Sequence, residues 1–178
     1  MLVLSFRDAI VGDVAQITVL VNTAYRGETS RQGWTTEADI LDGLRTSEQE
    51  IQQFIQADDS KIIVCLHGDE LIGSLHLHKM YDSANIGMFV VKPNLQNLNI
   101  GKQLLSVAEN TAKQQWQISK LAMLVITIRH ELIAYYERRG YKRTGLLQEF
   151  PINPKVWTPK LQGLQLERLE KQIDESLL

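Results

Sequence analysis

The sequence has little cysteine and little proline. Its 178 residues include one cysteine, Cys65, so an internal disulfide is excluded and the fold must rely on its core. Cys65 lies within the apolar run 62–66, and no motif marks a base that would activate its thiol. We therefore expect a small buried side chain rather than a nucleophile. Three of the four prolines fall between Phe150 and Lys160, which predicts a loop there.

Long apolar runs and an excess of charge of one sign are also missing. The 19 Lys and Arg residues against 21 Asp and Glu residues give a formal net charge of −2 at pH 7, which is not the basic footprint of a nucleic-acid or membrane-surface partner. No run approaches the length of a membrane span. The short apolar start is broken by Ser5 and Arg7, so we expect no signal peptide. These absences favour a cytoplasmic protein with no nucleic-acid partner and no membrane partner.

What the sequence does contain is periodic apolar patterning at a length typical of one domain. Apolar residues make up 44% and charged residues 22%, so we expect a single globular domain over residues 1–178. The first third is predicted to begin with a strand at 2–6, followed by a helix that is capped by Asp8 or Asp13 and ends near Gly27. A loop at 28–33 leads to a short helix that carries Ile40, Leu41 and Leu44, with Thr35 or Thr36 as its cap. A further helix carries Ile51, Phe54 and Ile55. The last helix is marked most clearly, because Ser47 and Glu50 have the spacing of a capping box.

The rest of the chain alternates strands with two helices. The predicted elements are a hairpin of strands at 61–66 and 71–78, a strand at 85–91, a helix at 101–116, a strand at 121–127, a helix at 130–139 ending on Gly140, a strand at 141–147, and a last strand within 161–171 before a frayed tail to Leu178. The last strand depends on the alternation of Leu164 and Leu166, although Leu161, Leu164 and Leu169 would also share a helical face. This order predicts an α/β (α+β) fold with a mixed, largely antiparallel sheet flanked by helices.

The stretch from Val90 to Leu105 is the most informative one. A strand ends at Val91, Pro93 prevents its continuation, a polar loop follows, and a helix begins near Gly101. The N–H groups at the start of a helix lack intrahelical acceptors, and the helix dipole adds positive potential there. The loop is therefore a candidate anion site suited to a pyrophosphate, although a plain strand-to-helix connection has the same pattern.

Three local patterns point to one family. The first is a strand end followed by a loop. The family has a strand that ends Val-x-Pro and then the loop pattern Gln/Arg-x-x-Gly-x-Gly/Ala, and this chain has Val91-Lys92-Pro93 and then Gln96 to Gly101. The segment Leu132 to Tyr141 is similar to the same family's Tyr-Glu-x-x-Gly-Phe/Tyr helix end. Tyr25-Arg26 before Trp34 to Glu37 is a third, less specific match. Together with the order of elements, these patterns resemble the GNAT superfamily of acetyl-CoA-dependent N-acetyltransferases over nearly the whole chain.

The resemblance implies acetyl-CoA as cosubstrate, held mainly by main chain. Backbone groups of Phe89, Val90 and Val91 would bind the pantetheine arm. The amides that would bind the diphosphate are those of Gln96, Asn97, Leu98, Asn99, Ile100, Gly101 and Lys102.

Two asparagines in this loop depart from the family pattern. The family usually has Gly at the position of Asn99 and often at that of Asn97. If these positions require φ > 0, Asn is the next most tolerant residue, at a cost of roughly 1 kcal/mol relative to Gly.

Tyr136 is the catalytic candidate. It shares a helix face with Leu132 and Ile133, so it would point toward the sheet, whereas Tyr135 is turned about 100° away. The resemblance implies that Tyr136 donates to the departing CoA sulfur. The alternative is a core tyrosine whose hydroxyl is satisfied.

No residue stands out as the base that removes a proton from the amine. The candidates are Asn85, where the family often has Glu, and Glu37, His76, His78, Asp82 and Glu131. His76 and His78 share a sheet face, but without further ligands we expect no metal site. Arg129 would contact the cofactor or an acidic substrate group, or pair with Glu131. The segment that usually shapes the acceptor pocket contains Arg31, Trp34 and Arg45.

The resulting hypothesis is direct transfer of an acetyl group from acetyl-CoA to a primary amine of a small molecule, or to a peptide N-terminus. A backbone amide on the strand 85–91 would polarise the thioester carbonyl. The alternative is a non-catalytic acyl-CoA-binding or sensing domain of the same fold. A third interpretation places another phosphorylated nucleotide in the loop, but the missing Gly-Lys-Ser/Thr ending argues against a P-loop NTPase. The candidate assembly is a homodimer.

Overall fold

A computed structural model describes residues 2–173. Its strands are β1 Leu4–Asp8, β2 Leu41–Gly43, β3 Ser60–His67, β4 Glu70–Lys79, β5 Ala84–Val91, β6 Lys120–Ile126, β7 Lys142–Glu149, β8 Trp157–Pro159 and β9 Gln165–Gln172. Its helices are α1 Val14–Tyr25, α2 Gly27–Ser30, α3 Glu48–Gln56, α4 Ile100–Trp116 and α5 His130–Glu137, with 3-10 turns at Val11–Asp13 and Pro93–Leu95. None of these helices has both the length and the apolar character needed to cross a membrane.

Seven strands form one sheet in the order β1-β3-β4-β5-β6-β9-β7, and β2 pairs separately with β8. All neighbours in the large sheet are antiparallel except β5 and β6, which are parallel. The predicted mixed, largely antiparallel sheet flanked by helices is confirmed. The parallel pair joins only Ala84–Ile86 to Leu121–Met123. Beyond this point β5 and β6 no longer pair with each other, although β5 stays paired with β4 and β6 with β9. A cleft therefore opens between β5 and β6.

Apolar layers cover both faces of the sheet. Ile63 and Cys65 of β3 pack with α4, whereas Ile62 and Val64 pack with α1 and α3, as the two-residue period of a strand requires. The residues of α4 that face the sheet are buried, namely Leu104, Leu105, Ala108 and Ala112. Cys65 is fully buried and burial raises the pKa of its thiol to about 11, so it packs as the small hydrophobe that the sequence predicted.

The predicted cap of α3 is confirmed in its first half. The Ser47 Oγ accepts a hydrogen bond from the backbone N–H of Glu50 at 3.2 Å. The Glu50 carboxylate does not return the bond to Ser47, because it accepts instead from the hydroxyl of Thr46 at 2.5 Å. The first helix begins after Asp13 rather than Asp8, and the Asp13 carboxylate accepts from the N–H of Ile10 at 2.8 Å.

The prediction of a short helix that carries Leu41 is wrong. Leu41–Gly43 forms β2 and pairs with β8, which lies inside the segment predicted to be entirely loop. This pairing buries Leu41 against a separate apolar cluster that includes Ile126, Leu164 and Leu166. The predicted loop at 28–33 likewise begins inside the short helix α2.

The last strand is confirmed as β9. It pairs with β6 on one side and β7 on the other. The frayed tail predicted to Leu178 lies outside the described residues.

Candidate active site

The loop before α4 presents unpaired amides to one spot. The helix begins at Ile100, and no described residue accepts a hydrogen bond from the N–H groups of Asn99, Ile100, Gly101 or Lys102. Asn97 has φ 68° and Asn99 has φ 61°, so both departures from the family pattern lie in the left-handed region. Asn tolerates this region better than other side-chain-bearing residues, so the loop keeps a glycine-like shape without glycine.

Replacing Asn99 by Ala tests this shape. We expect the free energy of unfolding to fall by about 1 kcal/mol, because Ala at positive φ suffers the full clash between Cβ and the carbonyl. Asn94 lies in the same loop, is exposed and does not have positive φ, so Asn94→Ala is the matched control and should be neutral. Urea unfolding of both variants measures the difference. Equal losses would show that the backbone at Asn99 carries no strain that Asn relieves.

The side chain of Gln96 fastens this loop to the N-terminal segment. Its Oε1 accepts from the N–H of Trp34 at 2.9 Å, and its Nε2 donates to the Thr35 Oγ1 at 2.9 Å and to the Val91 carbonyl at 3.2 Å. A Cβ on Gly33 would lie 2.7 Å from the Gln96 amide oxygen, so this approach requires glycine. The sequence assigned the backbone of Gln96 to phosphate binding, and the structure adds a clamp made by its side chain.

Removing this clamp should weaken cofactor binding. In Gln96→Ala the Trp34 N–H loses its acceptor and the loop loses its link to Thr35. We expect the Kd for acetyl-CoA to rise about 5- to 10-fold, the effect of one or two lost hydrogen bonds. Gln103→Ala is the control, because Gln103 is exposed on the first turn of α4 and its side chain binds no described residue. Calorimetric titration compares the two, and equal Kd values would mean that the clamp has no role in binding.

The loop borders a cavity of about 260 Å³, here called the loop cavity. Its charged lining residues are Lys102, Arg138 and Arg139, with no acidic side chain. The other lining residues are Trp34, Thr35, Phe89, Val91, Leu95, Gln96, Asn97, Asn99, Ile100, Gly101, Leu132, Tyr135 and Tyr136. Unpaired amides and three cations fit a diphosphate.

Three residues predicted to bind the cofactor lie away from the loop cavity. The side chain of Val90 is buried toward α1 on the other face and that of Leu98 is exposed, which leaves the predicted backbone roles of both residues as predictions. Arg129 lines a second cavity, which is described below.

A bulge reshapes β5 beside the loop cavity. Its register against β4 shifts between Ser74 and His76, and Met88 has φ 43°. Bulges of this kind redirect neighbouring side chains and interrupt pairing. The Phe89 carbonyl accepts from the Tyr25 hydroxyl at 2.9 Å. Because the Phe89 and Val91 carbonyls each already accept one hydrogen bond, each has one lone pair left for a ligand.

A second cavity of about 370 Å³ lies where β5 and β6 separate, and we call it the strand cavity. Its wall includes Ile86, Gly87 and Met88 of β5 and Met123 to Ile126 of β6. Besides Tyr136 and Trp157, its polar lining residues are Tyr25, Arg26, Glu37, Arg45, His76, His78, Asn85, Arg129 and Arg168. Phe89, Leu132 and Tyr136 line both cavities, so the two spaces meet at these side chains.

Tyr136 occupies this junction. Its side chain is buried and packs with Phe89, Tyr135 and Tyr141 at ring-centroid distances of 6.3, 5.4 and 5.9 Å. No described residue hydrogen-bonds its hydroxyl. Burial raises the pKa of Tyr136 well above its usual value, so the hydroxyl is protonated and available as a donor.

Tyr135 faces the loop cavity only. The guanidinium of Arg139 lies 3.3 Å from its ring centroid, and the Trp34 ring packs 5.4 Å from it. A Cβ on Gly101 would lie 2.9 Å from the Tyr135 hydroxyl, so Gly101 leaves room for this ring. Trp34 therefore contributes to the loop cavity rather than to the strand cavity.

Arg129 pairs with Glu37. Its Nη1 lies 3.0 Å from the Glu37 Oε1, and its Nη2 donates to the Thr35 carbonyl at 2.5 Å. Arg26 approaches the other carboxylate oxygen at 3.2 Å. Of the alternatives left open for Arg129, pairing with Glu131 is not observed, because the buried Glu37 takes that place. Sequence reasoning also missed Arg26 as a site residue, although Tyr25-Arg26 had been singled out at the end of the first helix.

Of the remaining candidate bases, three line the strand cavity and two do not. His76 and His78 line the strand cavity with Asn85, whereas Asp82 pairs with Lys120 and Glu131 is exposed. The His76 Nε2 is 2.8 Å from the Ser60 Oγ, and burial lowers the pKa of His76 to about 4, so its imidazole is neutral at pH 7. No group of three His, Cys, Asp or Glu residues within 2–173 is arranged to hold a metal ion.

Comparison with known proteins identifies the family. The model of the GNAT acetyltransferase family matches residues 29–141, which include the loop, α4 and the Tyr136 helix. The chain belongs to the GNAT family. It is therefore a GNAT-type N-acetyltransferase, and the predicted family and enzyme class are confirmed. Members of the GNAT family generally use acetyl-CoA as cosubstrate.

Solved structures support the fold at low sequence identity. The protein smu.2055 from Streptococcus mutans UA159 is 16% identical with a TM-score of 0.71, covering 96% of this chain and 99% of that one. The ribosomal-protein-S18-alanine N-acetyltransferase from Escherichia coli is 12% identical with a TM-score of 0.70 and 99% coverage of both chains. Mutant forms of the spermidine/spermine N-acetyltransferase SpeG from Vibrio cholerae are 18% identical with a TM-score of 0.66, covering 96% and 95%. No curated protein matches this GNAT sequence significantly.

Proposed function

We propose that this enzyme transfers the acetyl group of acetyl-CoA directly to a primary amine of a small molecule. The observation that carries the proposal is Tyr136, whose buried side chain places a protonated hydroxyl, bonded to no described residue, where the loop cavity meets the strand cavity. A hydrogen-bond donor at that junction can stabilise the sulfur that leaves in the loop cavity while the amine attacks the thioester from the strand cavity.

The loop cavity is the proposed cosubstrate site. The amides of Asn99 to Lys102 would bind the diphosphate, and Lys102, Arg138 and Arg139 would offset its charge. No described strand pairs with the edge of β5 that faces β6 beyond Ile86, so the backbone there would bind the pantetheine arm as an added strand. Acetyl-CoA supplies the thioester whose carbonyl carbon is attacked. The side chains of Val90 and Leu98 lie outside the loop cavity, but their proposed role belongs to the backbone and so stays part of the proposal.

Tyr136 acts as a hydrogen-bond donor rather than as a full acid. Ordinary pKa values of about 10 for Tyr and about 8.5 for a thiol make complete proton transfer uphill by about 2 kcal/mol. Burial raises the pKa of Tyr136 further, which makes the transfer still less favourable. A hydrogen bond to the developing thiolate stabilises charge as it forms, and the thiolate is neutralised by the proton that the amine releases.

Asn85, His76 and His78 serve the acceptor amine in the strand cavity. The buried Asn85 Oδ1 accepts no hydrogen bond from any described residue, so it is free to accept one from an amine N–H. The neutral amine forms the C–N bond with the acetyl carbon as the C–S bond breaks. Because the pKa of His76 is about 4, this imidazole can relay the amine proton but does not retain it at neutral pH.

Incubation with acetyl-CoA and a panel of amines tests the proposal. Amine-dependent release of free thiol, with one acetylated amine formed per thiol, is the expected result. Binding of acetyl-CoA without thiol release from any amine would favour the non-catalytic acyl-CoA-binding alternative. Absence of acetyl-CoA binding would contradict both. The cytoplasmic location and the homodimer stay predictions.

A further inference from the structure

We propose that the acceptor amine also carries an anionic group, a carboxylate or a phosphate, which is bound by arginines of the strand cavity. The inference rests on the proposed function and names the substrate class of the same site. A zwitterionic amine is distinct from the polycationic amine named for the structurally similar spermidine/spermine enzyme.

The first observation is the charge of the strand cavity. Arg26, Arg45 and Arg129 line it, and Glu37 is the one carboxylate among its described lining residues. One carboxylate against three guanidinium groups leaves a net charge of +2 on these residues, and Arg45 is the one that no described carboxylate contacts. Arg168 does not add to this excess, because its Nε lies 2.7 Å from a carboxylate oxygen of Glu170.

His76 does not change this balance of charge. His76 is neutral at pH 7, and the positive charge of Arg45 contributes to the lowering of its pKa after burial and His78. Burial also lowers the pKa of Arg26, and Arg45 lowers it further by like-charge repulsion. Arg26 and Arg45 both line the strand cavity, and an anion bound between them would offset their like charges.

The second observation is a pair of unsatisfied buried atoms. The side chain of Arg26 is 6% exposed, and its Nε donates to no described residue. The Asn85 Oδ1 is buried and accepts from none. An unpaired buried donor or acceptor costs about 1–3 kcal/mol, so each is expected to find a partner in the bound state. Arg26 and Asn85 both line the strand cavity, so an anionic group and an amine of one ligand could satisfy this donor and this acceptor.

Arg45 is the third arginine of the strand cavity that could contact an anion bound there. Its side chain is half-buried, lies 5.8 Å from the Tyr25 ring centroid, and has no carboxylate within salt-bridge distance in the described part of the chain. Guanidinium groups bind carboxylate and phosphate through paired N–H donors. Arg45 is therefore the residue whose removal should affect the acid group while leaving the buried Arg26–Glu37–Arg129 network intact.

Matched substrates test the inference. The panel contains an ω-amino acid, its ω-amino amide, the diamine of equal chain length and the matching aminoalkyl phosphonate. We expect kcat/KM for the amino acid or the phosphonate to exceed that for the amide and the diamine by at least about tenfold. Comparing kcat/KM for the phosphonate with kcat/KM for the amino acid shows whether the site prefers a phosphate-like group or a carboxylate. Thiol release with equal or higher kcat/KM for the amide or the diamine would overturn the inference and leave the proposed function standing. No thiol release from any amine would overturn both.

A binding measurement and two variants remove the dependence on turnover. The N-acetylated amino acid should bind the CoA-loaded protein more tightly than the N-acetylated diamine, and Arg45→Gln should weaken its binding about tenfold without changing the Kd for CoA. Arg31→Gln is the control, because Arg31 is exposed, pairs with Glu28 and Asp39, and lies outside both cavities. Arg45→Glu should shift preference toward the diamine. Equal effects of the Arg31 and Arg45 variants, or unchanged preference in Arg45→Glu, would overturn the inference.

Discussion

Replacing Tyr136 by Phe should lower kcat about 100-fold while the Kd for acetyl-CoA changes by less than about twofold. The variant keeps the ring that packs with Phe89, Tyr135 and Tyr141, so the junction between the cavities keeps its shape. It removes only the hydroxyl, which has no described partner in the protein and which we assign to the departing sulfur. Steady-state kinetics with calorimetric titration of acetyl-CoA separates the loss of turnover from any loss of binding.

Tyr141→Phe is the matched control for this prediction. Tyr141 packs directly on Tyr136, lies outside both cavities, and donates from its hydroxyl to the Glu109 carboxylate at 3.1 Å. Its loss should lower stability by about 1 kcal/mol and leave kcat unchanged. An unchanged kcat in Tyr136→Phe, with chemistry shown to be rate-limiting, would remove Tyr136 from the mechanism.

Replacing Glu37 by Gln should destabilise the protein by about 3–5 kcal/mol. The Glu37 side chain is 9% exposed and its two oxygens bind Arg26 and Arg129, whose side chains are 6% and 9% exposed. Removing the carboxylate leaves two buried guanidinium groups without a counter-charge, and burial disfavours charged groups. Urea unfolding monitored by circular dichroism measures the loss.

Glu28→Gln is the control for the Glu37 prediction. Glu28 also pairs with an arginine, Arg31, but its side chain is 88% exposed, so solvent screens the pair and stability should not change measurably. Because Glu37 joins the segment after α2 to the start of α5, its variant should also loosen the strand cavity. A loss below about 1 kcal/mol in Glu37→Gln would show that the two arginines find other partners.

The local chemistry of the loop could be predicted from the sequence because its determinants are local. Pro93 ends β5, Ser47 caps α3, and Asn97 and Asn99 have positive φ at positions where the family pattern has glycine. Each of these features depends on a residue and its immediate neighbours. The orientation of Tyr136 follows equally from helical spacing, since the residues three and four positions away share its face.

The features that could not be predicted depend on contacts between distant segments. The strand β2 forms because β8 arrives from the other end of the chain, so its own pattern resembled a helix. Arg129 has an acidic residue two positions away, yet it pairs with Glu37 because folding brings the two into one buried cavity. The clamp made by Gln96 depends in the same way on the approach of Trp34. No local signal specifies these partners.

The most direct test of the account is a crystal structure of the protein with CoA. We predict that the diphosphate lies against the amides of Asn99 to Lys102, that the pantetheine arm follows the free edge of β5, and that the thiol sulfur lies within hydrogen-bonding distance of the Tyr136 hydroxyl. A sulfur positioned away from that hydroxyl, or a CoA molecule bound outside the loop cavity, would contradict the account.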